Sequence, residues 1–427
     1  MNEIILNAVD KKGRKIQFDY KVHGEITKYF TEKPFVIEYP DCVEKVPDSI
    51  ACIPFVCNVL PIIWLTDSVL VLPELDKAFY ESIPEFKAGY VDMFPETDFK
   101  GTIDVDRIVE NHYLNTGKAA MFYSGGLDSV QTLISHLDER PVLLAVWGSD
   151  IQYDNKAGWR VVHEVIKDTA QRFQLQEGVI HSTFREFDNE ILLGKNYSEQ
   201  LKDNWWHGLK HSIGLLGHVA PYAWIHQINN MYFAATNCPE DGKVRCASNP
   251  SIDNFVKFAD CSVIHDGFEH NRQDKVHNLV EFCKINNEYF PLHVCWQSQS
   301  GNNCCYCEKC YRTMAELWAE GENPEEYGFY NAGKALKKMQ LFIASHKMQY
   351  KGNLKDFWSH TKRRAVENKN IICKTSYYKD FKWILKADFE HPETLQLPLS
   401  YTIRGRLAKF KFYQWFHKVK AKLAKGK

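Results

Sequence analysis

Between Met121 and Leu133 the chain reads Met-Phe-Tyr-Ser-Gly-Gly-Leu-Asp-Ser-Val-Gln-Thr-Leu. An apolar strand over residues 119–123 is expected to run into Ser124, Gly125, Gly126, Leu127, Asp128 and Ser129, with an amphipathic helix behind them. Two glycines let a backbone approach phosphate oxygens with no Cβ in the way. The free amides of such a loop, and of the helix N-terminus after it, face an anion, so the segment suits the pyrophosphate of ATP. Ser124 and Ser129 add hydroxyl donors. Asp128 is out of place beside a polyanion unless it orients the loop or holds Mg2+. The string is far more restrictive than a plain Gly-Gly turn, and it lacks the Gly-Lys-Ser/Thr ending of a Walker A loop.

A second set of reactive residues lies downstream. Cys295, Cys304, Cys307 and Cys310 are spaced C-x8-C-x2-C-x2-C. Four thiolates at such intervals suit tetrahedral Zn2+ in a structural site. Cys305 is an extra thiol that could replace a neighbour as ligand. A disulfide cluster or a redox Cys-x-x-Cys is the alternative. The disulfide version fits poorly, because the chain starts Met-Asn-Glu-Ile-Ile-Leu with no secretory pattern.

The loop at Ser124–Ser129 resembles the signature of the PP-loop ATP pyrophosphatases. The cysteine spacing is similar to that of the zinc site in one branch, the 7-cyano-7-deazaguanine synthases of the queuosine pathway. In that branch the run ends in Cys-x-x-Cys-x-x-Arg; here Arg312 stands one position early, and Cys305-Tyr306 fills a place that commonly holds Gly. The resemblance implies an α/β, doubly wound parallel sheet of PP-loop, HUP-like type. It implies ATP and Mg2+ bound at Ser124, Gly125, Gly126, Leu127, Asp128 and Ser129, and Zn2+ at the four cysteines. It also implies cleavage of ATP between its α- and β-phosphates, with transfer of AMP to a substrate oxygen.

Composition sets bounds on the rest. The chain has 427 residues, 44% apolar and 25% charged, with a formal net charge of −1, which argues against a general nucleic-acid binder. No apolar run reaches the length of a membrane span. Thirteen cysteines and no leader pattern suggest a cytoplasmic protein with reduced thiols.

Three regions are expected. Residues 1–112 are β-rich in pattern, with strands at 15–22, 34–39 and 69–72. Residues 113–320 form the nucleotide-binding domain, with the zinc module at 295–310. Residues 321–427 form a helical region with a basic tail. In the middle region strand and helix patterns alternate: strands at 119–123, 141–147, 179–184 and 231–235, helices at 129–137 and 159–173. A long helix at 209–228, bent at Pro221, completes it. Ligands of such a sheet bind at the carboxyl ends of its strands, here Ser124, Gly148–Asp150 and Thr236–Cys238.

At those ends, Asp150 is placed to meet a ribose hydroxyl, or else to cap the next helix. The turn Thr236–Gly242 lacks the deazaguanine synthases' Ser-Gly-Tyr-Pro-Asp-Cys-Arg run, and Pro239 and Asp241 are its only echoes. Arg272 and Lys275 match the late cations that, in PP-loop enzymes, stabilise departing pyrophosphate. His207, Lys210 and His211 lie on an apolar helix, where a satisfied, half-buried histidine is the simpler reading. The tail at 407–425 carries aromatics among many lysines and suits an anionic surface or a docked helix.

Together these features suggest an ATP-dependent ligase with catalytic residues Asp128, Arg272 and Lys275. It would adenylate a small-molecule carboxylate for attack by ammonia or an amine, the donor coming free or through a partner protein. Alternatives are an amidotransferase on a sugar acid or protein terminus, a sulfur transferase using Cys238 or the Cys305/Cys307 pair, and a nucleotide-binding subunit without turnover.

Overall fold

The computed structural model describes residues 2–346 and 353–396. The tail segment 407–425 lies outside them. In chain order the strands are β1 (Glu3–Lys12), β2 (Lys15–His23), β3 (Val36–Glu38), β4 (Val69–Leu72), β5 (Leu75–Asp76), β6 (Thr102–Val105) and β7 (Ile108–Val109). They continue as β8 (Ala119–Phe122), β9 (Val142–Trp147), β10 (Glu177–Ser182), β11 (Asn230–Ala234), β12 (Lys257–Phe258) and β13 (Cys261–Asp266). Eleven form one mixed, mostly parallel sheet in the order β12-β13-β11-β8-β9-β10-β3-β2-β1-β4-β6. Strands β5 and β7 pair separately. The chain has two compact units, one up to Asn303 and one from Cys304.

The parallel centre is β10-β9-β8-β11-β13. Its composition follows from burial on both faces: β9 reads Val-Leu-Leu-Ala-Val-Trp, with no polar residue to spare. From β8 the chain steps outward to β9 and β10, then returns to the other side of β8 for β11 and β13. Right-handed crossovers therefore place the two sets of connecting helices on opposite faces. The strand order reverses between β8 and β11, and a crevice opens at their carboxyl ends.

Strands from the first 112 residues extend this same sheet, through antiparallel pairing of β3 with β10. That segment also holds two long helices. Ile53–Thr66 is apolar along nearly its whole length and buried on all sides. Lys77–Met93 starts at Asp76, whose carboxylate accepts a hydrogen bond from the Phe79 amide at 3.0 Å. The apolar stretch at 209–228 is not one helix. A π turn, Trp206–Lys210, leads into His211–Leu216, and a new helix runs over Val219–His226. The break falls at Gly217–His218, where a Cβ on Gly217 would lie 2.7 Å from Cys57 Cβ. Pro221 sits in the first turn of the new helix, where its missing N–H costs nothing. Among the described residues no helix is long and apolar enough to cross a membrane. In the second unit, helices Glu308–Ala319, Ala332–Ser345 and Asn353–Glu367 pack together.

Gly148 ends β9 with φ of +111°, and a Cβ there would sit 1.9 Å from the Ser182 carbonyl oxygen of β10. Gly148→Ala is therefore expected to cost about 3 kcal/mol or more, combining strain with a backbone clash. Urea denaturation would check this; a change within 0.5 kcal/mol, the ~0.5 kcal/mol typical of neutral surface sites, would contradict it.

Candidate functional site

β8 delivers the chain into Ser124 at the point where the strand order reverses. Gly125 takes φ of +73°, a conformation that favours glycine, and Gly126 caps the helix Leu127–Ser135. The two serines brace the turn from within. Ser129 Oγ donates to the Gly126 carbonyl at 2.9 Å and accepts from the Ser124 amide at 3.4 Å. Ser124 Oγ accepts from the Gly126 amide at 3.4 Å. In this form the hydroxyls shape the loop.

The two cations come from a second helix. Asn271 caps Arg272–Asn286 by accepting from the Asp274 amide at 3.0 Å. Arg272 and Lys275 occupy its first turn, and this helix packs against Leu127–Ser135. Arg272 Nη1 donates to both carboxylate oxygens of Asp128, at 3.2 and 3.3 Å, and Lys275 Nζ lies 3.6 Å from the same group. Both cationic side chains are only 1% exposed, against 15% for Asp128. Lys275 Nζ also donates to the Ala235 carbonyl at the end of β11. Burial lowers the Lys275 ammonium from its ordinary range, and the Asp128 charge opposes that fall. The Asp128 carboxylate gathers the two cations beside the loop. Arg272, Lys275 and Asp128, distant in sequence, are thus brought together with two helix N-termini, whose dipoles add positive potential.

Asp150 follows Gly148 at the end of β9 and is exposed. Its backbone carbonyl accepts from Gln299 Nε2 at 3.1 Å. It does not cap the following helix, which begins at Lys156 and is capped by Asn155 through the Gly158 amide. The turn after β11 closes on itself: the Cys238 amide donates to Asp241 at 2.8 Å. Burial, followed by the Asp241 charge, pushes the Cys238 thiol up to about 11.

A contact with no signature in the sequence joins the loop to the cysteines. The His293 amide donates to the Gly125 carbonyl at 2.7 Å. Asn303 fastens the same strap, donating to the Leu292 carbonyl at 2.7 Å and accepting from the Val294 amide at 3.0 Å. Two residues past His293 comes Cys295. The sulfur atoms of Cys295, Cys304, Cys307 and Cys310 all lie within 4.8 Å of one another, a cluster that could hold a metal ion such as zinc. Cys304 and Cys310 are 3.8 Å apart. A ZnS4 tetrahedron with bonds of ~2.3 Å has edges of ~3.8 Å, so this spacing fits the ion. Cys304 also accepts from the Cys307 amide at 3.3 Å. Cys305 is not in the set. Arg312 turns to Glu308 at 3.1 Å and to the face of Phe357 at 4.3 Å, a packing role within the second unit.

A scan of protein-family models, a search of curated proteins and a search of solved structures each found no match to this chain.

Near the crevice, His136 donates to Asp266 at 2.7 Å and stacks on Tyr232 at 3.8 Å. The Asp266 hydrogen bond is the main reason that the imidazole sits above its ordinary value. A raised folded-state value means the pair stabilises fully below the unfolded histidine value of ~6.5 and less as pH climbs through the folded one. Stability measured from pH 6 to 9 should therefore decline more in the parent protein than in His136→Gln, and parallel profiles would refute this. As purified in reductant, the protein should carry about one zinc per chain, and chelation should lower its melting temperature. Metal-free protein with unchanged melting would count against a structural metal.

Proposed function

We propose that the protein is an ATP-dependent, AMP- and pyrophosphate-forming ligase that activates a small-molecule carboxylate for attack by ammonia or an amine. One observation carries the reading: a Ser-Gly-Gly-Leu-Asp-Ser loop stands at the reversal of a parallel sheet, with Arg272 and Lys275 held over its aspartate by 3.2–3.6 Å contacts. The loop amides and the two helix N-termini would hold the phosphates. Fixed cations in a poorly solvated site offset charge that builds on a leaving pyrophosphate, and need no reorganisation to do so. The side chains otherwise act by orientation, which is the greater part of phosphoryl and nucleotidyl transfer. Zinc, where bound, supplies rigidity at the far end of the His293 strap.

The thiol of Cys238, pushed up to about 11, is a poor nucleophile at neutral pH, and Cys307 belongs to the four-sulfur cluster. Both facts favour nitrogen transfer over a persulfide route through those residues. The turn at 236–242 differs from the deazaguanine synthase pattern, so a sugar acid or a protein terminus remains the alternative acceptor.

Incubation with ATP, Mg2+, ammonium and a panel of carboxylates, starting with 7-carboxy-7-deazaguanine, should yield AMP, pyrophosphate and an amide or nitrile by mass spectrometry. ADP in place of AMP, or no turnover with any carboxylate, would sink the proposal. Ser124→Ala should lower the rate by ~100- to 1000-fold, as loss of one anion-binding donor does. Asp128→Asn should abolish AMP formation, and it carries a second cost: removing the charge that both buried cations face should destabilise the fold by about 3 kcal/mol. Equal stability of Asp128→Asn and parent in denaturant would show that the carboxylate does not hold the cations.

A further inference from the structure

The strap over residues 292–303 is stitched to both loops that follow β8 and β9. At β8 the His293 amide donates to the Gly125 carbonyl at 2.7 Å. At β9 the Gln299 side chain donates to the Asp150 carbonyl at 3.1 Å, and the Gln299 carbonyl accepts from Asn155 Nδ2 at 2.7 Å. Asn155 is also the cap of the helix Lys156–Arg172, so strap and helix share one fastening. The two are in close contact. A Cβ on Gly158, in the first turn of that helix, would sit 2.2 Å from the Gln299 carbonyl oxygen. Cys295 lies between the two stitches.

The stitch at Gly125 decides what the loop offers an anion. A trans peptide points its C=O and its N–H in opposite directions. With the Gly125 carbonyl held on the strap, the Gly126 N–H faces into the loop, where it reaches Ser124 Oγ at 3.4 Å. That bond is long, and a phosphate oxygen is a stronger acceptor for the same amide. A peptide between two glycines meets no Cβ on either side and turns over at little cost. Turned over, it would present a carbonyl oxygen to the phosphates and repel them. The His293 bond selects the orientation that attracts them.

The cysteines bracket the bonds that place the His293 amide. Asn303 holds both neighbours of His293, through the Leu292 carbonyl at 2.7 Å and the Val294 amide at 3.0 Å. Cys304 follows Asn303 in the chain, and Cys295 follows Val294. The sulfurs of both belong to the set that lies within 4.8 Å of one another, so one ion would fix the strap at each end of this clamp.

We propose that metal occupancy at the cysteine cluster and phosphate binding at the Ser124–Ser129 loop are coupled through the strap, each ligand raising the protein's affinity for the other. The coupling rests on the phosphate-binding role of the loop put forward above. The metal steadies Asn303 and His293, and His293 keeps the Gly126 N–H turned towards the anion. A bound anion in turn resists the peptide flip and keeps the strap seated. Such linkage is reciprocal, so one factor describes both directions. Asn303 and Gln299 are positioning residues in this scheme. The loop then binds nucleotide best in the metal-loaded chain, which makes zinc supply a control on the activity.

Two equilibrium measurements on the full chain test the coupling. Zinc occupancy is titrated in buffers that fix free zinc, with Mg2+ in excess, with and without saturating ATP. ATP affinity is measured by calorimetry on zinc-loaded and zinc-depleted protein. ATP should tighten zinc, and zinc should tighten ATP, by one common factor of ~5- to 150-fold. Asn303→Ala removes the clamp around His293, and Gly158→Ala drives the Gln299 carbonyl off the helix. Each variant should still fill with zinc when free zinc is high, yet bring the factor towards unity. A factor of unity in the parent protein, with both ligands bound, overturns the coupling and leaves the ligase reading standing. A factor as large in both variants as in the parent overturns the strap as its route. So does unfolding of the zinc-depleted chain in far-UV circular dichroism, since the coupling would then be global. No ATP binding by the parent at any zinc level overturns the phosphate loop, and the ligase reading and the coupling with it.

Discussion

Taking an arginine and a lysine out of water carries a large desolvation cost, and here one carboxylate meets both cations. Asp128 is reached by Arg272 at 3.2 Å and by Lys275 at 3.6 Å, with both cations only 1% exposed. Holding the three charges in contact offsets that cost. That contact needs two helices to present their first turns to each other, and this in turn needs a sheet whose strand order reverses beside β8. Lys275 also donates to the Ala235 carbonyl, tying the cluster to the end of β11. The loop, the cations and the sheet are therefore parts of one arrangement, and a change at Asp128 acts on stability and on anion affinity together.

The same economy of contacts links the loop to the cysteine cluster. The His293 amide holds Gly125, and Gln299 reaches the carbonyl of Asp150. The strap from Leu292 to Asn303 thus touches the ends of β8 and β9, and Cys295 lies within it. A bound metal would anchor this strap, because ordering four thiolates about one ion removes the freedom of the segments that carry them. Buried polar groups elsewhere follow a similar logic. Lys210, fully buried, donates to Asp188 and to the Phe184 carbonyl, each at 2.7 Å. Asp253 accepts from Ser212, Ser248 and His265. Such networks offset the cost of burial and pin the long excursion between β10 and β13.

Much of this was legible from the residues themselves. The Ser124–Ser129 loop, the strands at 142–147 and 230–234 and the helix over 156–172 follow from local rules: glycine's freedom at φ of +73°, continuous apolar runs for strands buried on both faces, and apolar residues three and four apart. The cysteine spacing likewise announces a tetrahedral site, because short intervals between thiols restrict where their sulfurs can go. The helix at Ile53–Thr66 was masked by Pro54 and Pro61, and the break at Gly217–His218 depends on Cys57 lying across from Gly217. Neither is a local property.

What the chain determined by itself is the chemistry of single segments, since phosphate-loop geometry and thiol spacing are set within a dozen residues. Which segments meet was decided only in three dimensions. Asp128 and Arg272 are 144 residues apart in the chain. No periodicity announces that Asp128 would gather cations or that His293 would brace Gly125. These pairings arise because the strand order brings distant loops to one edge of the sheet. Desolvation then selects, among the groups brought there, those that can satisfy one another's charge and hydrogen bonds.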